Sequence, residues 1–476
     1  MLAKVKVPAK QLFVGSALGK REEGRDAVMN ASTTNRILTP SRYNHMFTLA
    51  EEPGKTLLYN SSSGALVVID DEIAEALYSK RSGDIPAEAV NDLSTGRFLI
   101  SAGVDELLSV YHDTMALWYG SNYTRISVAP TMECNFECSY CFQGVLENRP
   151  PAMNKTTMNK TIDFAKKLAT NTSGLYLSWF GGEPLLVPDL IVEADSALKN
   201  WAEKQSMQFS SSVTTNGYLL TRDIVDMLVA NGISHANVTL DGLREVHDSG
   251  RKLLGGQGTF DAIVANLRYA VTKMKVTIRA NVDRDNSSYI GLLLQFLAQQ
   301  DIVGRQKADF YLGHVNPFGQ YSRCMTDHEF VNYALNWYGD HEGHPGVLFN
   351  VPTSVTNCLA HTFRAFAVDS QGFLYKCLEV MGDEKEAVGS VYDESLQVNR
   401  ELQRWVALDP FQVKKCRACN ILPSCRGGCP RRWLVEGEPN CGATAQELGR
   451  YIKSYFRHSR ARTLRAGKEF AAKTGS

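Results

Sequence analysis

The chain has no excess of either charge: 51 Lys and Arg residues face 51 Asp and Glu residues over 476 positions. A zero balance supplies no field to draw in nucleic acid or an anionic membrane surface, so neither is expected as a partner. The sequence also lacks an apolar run of about 18 residues, so no transmembrane helix is read. The opening MLAKVKVPAKQLFVG carries basic residues, but its apolar stretch is short and no small-residue cleavage site follows. A secretory signal is therefore not expected, and a cytoplasmic protein is.

Cysteine is missing from the whole first quarter. None of the 11 cysteines precedes Cys134, and seven fall between Cys358 and Cys441. Disulfides are rare in a reducing compartment, so cysteines clustered in this way point to metal or redox sites rather than a stapled secreted scaffold. What is present is otherwise ordinary. At 44% hydrophobic and 21% charged, the composition is that of a globular protein with a large core, and the length allows about two to four domains.

The pattern changes three times along the chain. Residues 1–42, with REEGRDAVMNASTTNR, are polar and expected to be a loosely ordered N-terminal segment. Residues 43–119 read as a small separate module. MFTLAEE and TLLYNSSSGALVVID alternate around a Ser-Ser-Ser-Gly turn, while DEIAEALYSK and DELLSVYHDTMALWYG have helical spacing. Such a mixture suggests a winged-helix-like unit. From residue 120 to 319 strands and helices alternate. The strands are RISVAP, GLYLSWF, MQFSSSVTT, HANVTLD, KVTIRANV and ADFYLGHV, each joined to the next through a helical pattern. The fold class expected is α/β, with six strands in a parallel sheet as a full or partial (β/α)6 barrel, and a site at the carboxyl ends of the strands. Residues 320–445 are less periodic and rich in cysteine. Residues 446–476 read as a basic, solvated C-terminal helix or tail.

The first strand runs into TMECNFECSYCFQG, where Cys134, Cys138 and Cys141 form a C-x3-C-x2-C pattern. A [4Fe–4S] cluster held by three thiolates keeps one iron open to bind a substrate or cofactor directly. The structural alternative is a zinc knuckle that borrows a distant fourth ligand. The pattern, placed just after a first barrel strand and with aromatic residues around the last cysteine, resembles the radical S-adenosylmethionine (SAM) superfamily.

The resemblance continues at later strand ends. GGEP, Gly181, Gly182, Glu183 and Pro184, follows the second strand, where the family receives the methionine amino group; backbone carbonyls and a carboxylate are acceptors of the right kind. TTNG closes the third strand at Asn216, and VTLDG closes the fourth at Thr239 and Asp241. Relatives hold the SAM carboxylate with a hydroxyl on that strand and an arginine 12 residues on, a spacing that Thr239 and Arg251 match. A guanidinium fork suits a carboxylate; the bland alternative for Arg251 is a surface ion pair. Arg279 and Asn281, ending the fifth strand, are candidates for ribose or SAM contacts. Tyr140 is expected near the adenine. The resemblance implies that a reduced cluster cleaves SAM and that a 5′-deoxyadenosyl radical takes an unactivated hydrogen from the substrate.

A second cysteine group resembles the SPASM domain of radical SAM maturases. Cys358, Gly372 and Cys377 give C-x13-G-x4-C; Cys416, Cys419, Cys425 and Cys429 give C-x2-C-x5-C-x3-C; Cys441 closes the set. The family's arrangement implies an outer auxiliary [4Fe–4S] cluster on Cys416, Cys419, Cys425 and Cys441, and an inner one on Cys358, Cys377 and Cys429. A structural zinc at Cys416–Cys441 is the alternative. Cys324 is left over. It is a fourth ligand of the inner cluster, a thiol that donates a hydrogen atom as in peptide epimerases, or an inert buried cysteine.

SPASM enzymes mostly modify peptides, and the N-terminal module resembles the precursor-recognition element that takes a leader peptide as an added strand. The resemblance thus implies a radical SAM maturase of a ribosomally made precursor peptide. It would form a thioether, carbon–carbon or ether cross-link and be served by an external electron donor such as flavodoxin or ferredoxin. The alternatives are an anaerobic sulfatase-maturase-like, formylglycine-forming enzyme, a peptide epimerase, or a non-catalytic iron–sulfur electron-transfer protein.

Overall fold

A computed structural model describes residues 37–145, 149–304, 307–315, 321–349 and 358–474. Most of the segment expected to be loosely ordered, residues 1–36, lies outside the described residues. Its end does not: β1 (Leu38–Pro40) is a strand.

The N-terminal module continues with β2 (Asn44–Thr48), β3 (Lys55–Asn60), β4 (Leu66–Asp70), α1 (Asp71–Tyr78), α2 (Ala87–Thr95), β5 (Leu99–Ser101) and α3 (Glu106–Tyr119). β2, β3 and β4 form an antiparallel sheet in that order, and β1 pairs with β5. The Ser-Ser-Ser-Gly turn joins β3 to β4. Asn60 Oδ1 accepts the N–H groups of Ser62 and Ser63 there, at 3.0 and 3.1 Å. Alternate residues of this sheet, Leu58 and Ile69, bury against Leu77, Leu93 and Phe98 from the helices.

The central unit runs β6 (Tyr123–Val128), β7 (Phe136–Cys138), α4 (Lys155–Ala169), β8 (Gly174–Trp179), α5 (Pro188–Lys204), β9 (Gln208–Thr215), α6 (Arg222–Ala230), β10 (Ile233–Thr239), α7 (Arg244–Gly250), β11 (Arg251–Leu253), α8 (Phe260–Ala270), β12 (Lys275–Val282), α9 (Ile290–Gln299) and β13 (Asp309–His314). β6, β8, β9, β10, β12 and β13 lie side by side in chain order and all parallel. Every connection crosses over through a helix, as a parallel pair requires. Among the described residues the sheet does not close into a barrel.

The C-terminal unit holds α10 (Asp327–Asp340), β14 (Ala365–Val368), β15 (Phe373–Tyr375), β16 (Gly389–Ser390), five short helices between Arg400 and Gln446, and the long α11 (Leu448–Thr474). β14 pairs parallel with β6, so the sheet continues past the first barrel strand through β14, β15 and β16. α11 corrects the solvated-tail reading: Ile452, Tyr455 and His458 are buried along one face, and Arg457 forks onto Glu51 of the N-terminal module at 2.6 and 3.0 Å. Among the described residues no helix is long and apolar enough to cross a membrane.

Candidate active site

β6 leads straight into the three-cysteine loop, and three neighbours fix that loop. β7 pairs antiparallel with β11, setting Cys138 opposite Arg251. The GGEP segment bonds it from the second strand: Gly182 N–H donates to Thr131 O at 3.2 Å and Glu183 N–H to Glu133 O at 2.8 Å. A Cβ on Gly182 would stand 2.1 Å from Glu133 O, and Gly181 takes φ +128°. The paired glycines therefore permit a backbone-on-backbone contact that no other residue allows. The loop also bonds to itself, Phe136 N–H donating to Cys134 Sγ at 3.4 Å.

The three thiols are neighbours. Burial pushes Cys134 up to about 11, with Glu183, Cys138 and Cys141 adding to the shift. Burial raises Cys138 as well, opposed by the Arg251 guanidinium. Loading such thiols with iron would displace their protons.

Beside them the structure gathers residues from four places into one polar network. Tyr140 O–H donates to Asp241 Oδ2 and its oxygen accepts from Arg251 Nη1 at 2.7 Å and Asn281 Nδ2 at 3.0 Å. Asn281 N–H donates to Asp241 Oδ1 at 2.8 Å. Arg251 Nε lies 3.8 Å from Asp241 Oδ2, with both side chains under 10% exposed. It is buried and has no hydrogen-bond partner among the described residues. Burial acts to lower Arg251 but is outweighed by Tyr140, Cys138 and Asp241, so the guanidinium stays charged. Both Asp241 oxygens accept hydrogen bonds, the pattern of an ionised carboxylate. Sequence reasoning noted Asp241 only as a strand end; the signal was an acidic residue placed where a parallel strand exits.

The other expected residues divide. Asn216 faces the loop, its Nδ2 donating to Asn135 Oδ1 at 2.7 Å and lying 4.0 Å from Cys134 Sγ. Thr239 ends β10 opposite Arg279 of β12. Arg279 has a buried Nε with no hydrogen-bond partner among the described residues, and only glycine at 313 leaves room for it, a Cβ there meeting Nε at 2.2 Å. Glu183 is different. Its fully buried carboxylate accepts from Leu185 N–H at 3.0 Å, Thr215 Oγ1 at 2.7 Å and Asn216 N–H at 2.7 Å. That carboxylate ties GGEP to the end of β9. Tyr140 likewise meets Tyr321 edge-on, ring centres 6.1 Å apart, and its hydroxyl is spent on Asp241, Arg251 and Asn281.

The later cysteines fall into two neighbourhoods. Burial pushes Cys377 up to about 12, with Glu379, Cys358 and Cys429 adding; Cys358 is raised by burial and by Cys429. Burial raises Cys416 to about 11, with Cys425, Cys441 and Cys419 adding. Sequence reasoning missed Lys376, fully buried beside Cys358, whose Nζ donates to Thr362 O at 2.6 Å and Ala365 O at 2.7 Å. Cys324 has Asp283 and Arg284, just past the end of β12, as charged neighbours. No cysteine is in a disulfide. Among the described residues no three His, Cys, Asp or Glu side chains stand close enough to hold a single metal ion. The donor set nonetheless suits the groups implied by the sequence: neighbouring thiols, an unspent buried guanidinium nitrogen and a glycine-lined backbone approach.

Residues 128–296 match the Radical SAM superfamily model. A cysteine-type anaerobic sulfatase-maturating enzyme of Clostridium novyi is 25% identical over 371 residues, which is 71% of this chain and 95% of that one. The structure of anSMEcpe with bound AdoMet and Cp18Cys peptide has the same fold, with TM-score 0.57 and 16% identity over 72% of this chain and 99% of that one. Streptococcus suis SuiB bound to S-adenosylmethionine has TM-score 0.50 and 16% identity, over 84% of this chain and 97% of that one.

Proposed function

We propose that this protein is a peptide maturase that takes a hydrogen atom from a residue of a ribosomally made precursor and joins it to a second residue by a thioether, carbon–carbon or ether bond. The observation that carries this reading is the grouping of ten cysteines: three on the first-strand loop, three around Cys377 and four around Cys416. SAM bound at a three-thiolate [4Fe–4S] cluster supplies the one-electron chemistry that removes an unactivated hydrogen.

The chain's own residues hold and orient. Cys134, Cys138 and Cys141 would carry the first cluster; Arg251 and Thr239 would receive the SAM carboxylate; the GGEP carbonyls would receive its ammonium; Asn216 and Asn281 would border the nucleoside. Cys358, Cys377 and Cys429 would carry the inner auxiliary cluster and Cys416, Cys419, Cys425 and Cys441 the outer one. Cross-linking removes two hydrogens, one as an atom and one as a proton with an electron left over, and Cys358, Cys377 and Cys429 would hold a group able to take up that electron. An external donor such as flavodoxin or ferredoxin would supply the electron that SAM cleavage takes. Cys324, beside Asp283, would be a hydrogen donor only if the outcome is epimerisation. In the N-terminal module β4 is a sheet edge, and a leader peptide would add there as a strand. A peptide-bound structure of the same fold and the larger share of this chain spanned by SuiB support the reading.

A formylglycine-forming reaction is the second reading, favoured by the 25% identity to a sulfatase-maturating enzyme. One experiment separates them: the reconstituted protein without oxygen, with reductant, SAM and a short peptide encoded beside its gene, in heavy water, read by peptide mass. A loss of about two mass units, with no aldehyde trapped by hydroxylamine, supports cross-linking. A trapped aldehyde supports formylglycine, and a gain of about one unit from solvent deuterium supports epimerisation. Cys134→Ala is expected to abolish all of these; retained SAM cleavage would remove the reading altogether.

A further inference from the structure

We propose that Tyr140, held by Asp241, is a positioning residue whose hydroxyl aims the Arg251 guanidinium at the SAM carboxylate. The inference rests on the proposed function for its ligand; its geometry is that of this chain.

The phenol oxygen is saturated. It gives its proton to Asp241 and takes hydrogen bonds from Arg251 Nη1 and Asn281 Nδ2. None of its hydrogen-bonding capacity remains for a nucleoside. It also stands between a buried cation and a buried anion. Arg251 is 6% exposed and Asp241 4%, yet Nε sits 3.8 Å from Oδ2, too far for a hydrogen bond. A direct bidentate pair would consume the guanidinium fork. With a phenol interposed, Asp241 still balances the charge while Nε is left without a hydrogen bond. The remaining contacts hold this geometry rigid. Phe136 lies under the guanidinium, with its ring centre 5.6 Å from Cζ, and the β7–β11 pairing fixes the Arg251 backbone against Cys138. Asn286 Nδ2 donates to the carbonyls of both Asp241 and Asn281, at 3.1 and 2.7 Å. His247 accepts the Asp241 N–H at 3.2 Å.

The test is a pair of dissociation constants, for SAM and for decarboxylated SAM, on the cluster-loaded protein without oxygen. Tyr140→Phe keeps the ring and removes only the hydroxyl. It is expected to weaken SAM about tenfold or more, the usual effect of losing a hydrogen bond to a charged group. Decarboxylated SAM should change by less than about twofold. Asp241→Asn, which keeps the shape of the carboxylate, is expected to give the same split and serves if the first variant does not load. Equal weakening of both compounds would mean that the Tyr140 hydroxyl merely holds the fold, and would overturn the proposal; so would unchanged SAM affinity. If the unmutated protein bound the two compounds equally, the carboxylate role of Arg251 would fail and this inference with it, while the cluster assignment to Cys134, Cys138 and Cys141 would stand.

Discussion

Gly182→Ala tests whether the paired glycines exist for the cysteine loop. A Cβ at 182 would lie 2.1 Å from Glu133 O, 2.5 Å from the Glu133 carbonyl carbon and 2.5 Å from Met132 O. All three atoms are backbone, and none can swing aside as a side chain would. Relieving the overlap takes a shift of roughly 1 Å between the two segments, given contact distances near 3.5 Å. That shift would pull on the Gly182–Thr131 and Glu183–Glu133 bonds and move the residue next to Cys134. Overpacking of this kind costs about 1–3 kcal/mol of stability. Misplacement of about 1 Å in a reacting geometry costs on the order of 100-fold in rate. The assay is formation of 5′-deoxyadenosine from SAM under reductant, beside iron content per chain and a denaturant midpoint. Gly339→Ala is the matched control: it lies in the last turn of α10 with nothing within 4 Å of its Cβ, so it should be neutral or gain up to about 1 kcal/mol. If Gly182→Ala kept SAM cleavage within about twofold of the parent while loading full iron, the close-approach argument would be wrong.

Two further outcomes follow from burial elsewhere. Asp195 is fully buried and accepts the Trp179 indole N–H at 3.0 Å; burial raises it from 3.8 to about 6. The folded chain therefore keeps a proton that the unfolded chain has lost, and stability falls as pH rises from about 4 to about 6, by roughly 3 kcal/mol in all. Asp195→Asn should be the more stable protein above pH 6, with the gap closing towards pH 4 in urea titrations; a pH-independent gap would refute the assignment. A truncation beginning at residue 120 is expected to lose iron as well as peptide affinity. It would strip Tyr43 and Val110 from a core shared with Phe411, Cys416 and Leu422, and Trp118 from its stack on His361 at 4.5 Å. Full iron in the truncated chain, read by metal analysis, would mean that the two units fold independently.

The strand–helix series was legible because each element buries one face, and the period of that face is local information. Contacts made across long stretches of chain were not. Glu183 reads as an acceptor waiting for a ligand, yet its donors, Thr215 and the Asn216 N–H, come from a strand end more than 30 residues away. Tyr140 reads as an aromatic wall, yet its hydroxyl meets Asp241 and Arg251, over 100 residues on. The helix after residue 446 reads as solvated because its arginines dominate, though Ile452, Tyr455 and His458 recur every three residues as a thin buried stripe. The least legible feature was the join at residue 320, where a change of pattern suggested a domain border. AFAV, residues 365–368, is too short to declare itself a strand, but it extends the sheet beside β6, and β15 follows it. β15 runs antiparallel to β14, so Cys377, two residues after it, leaves the sheet at the end opposite to the Cys134 loop, which follows β6. No hinge lies between strands hydrogen-bonded in this way.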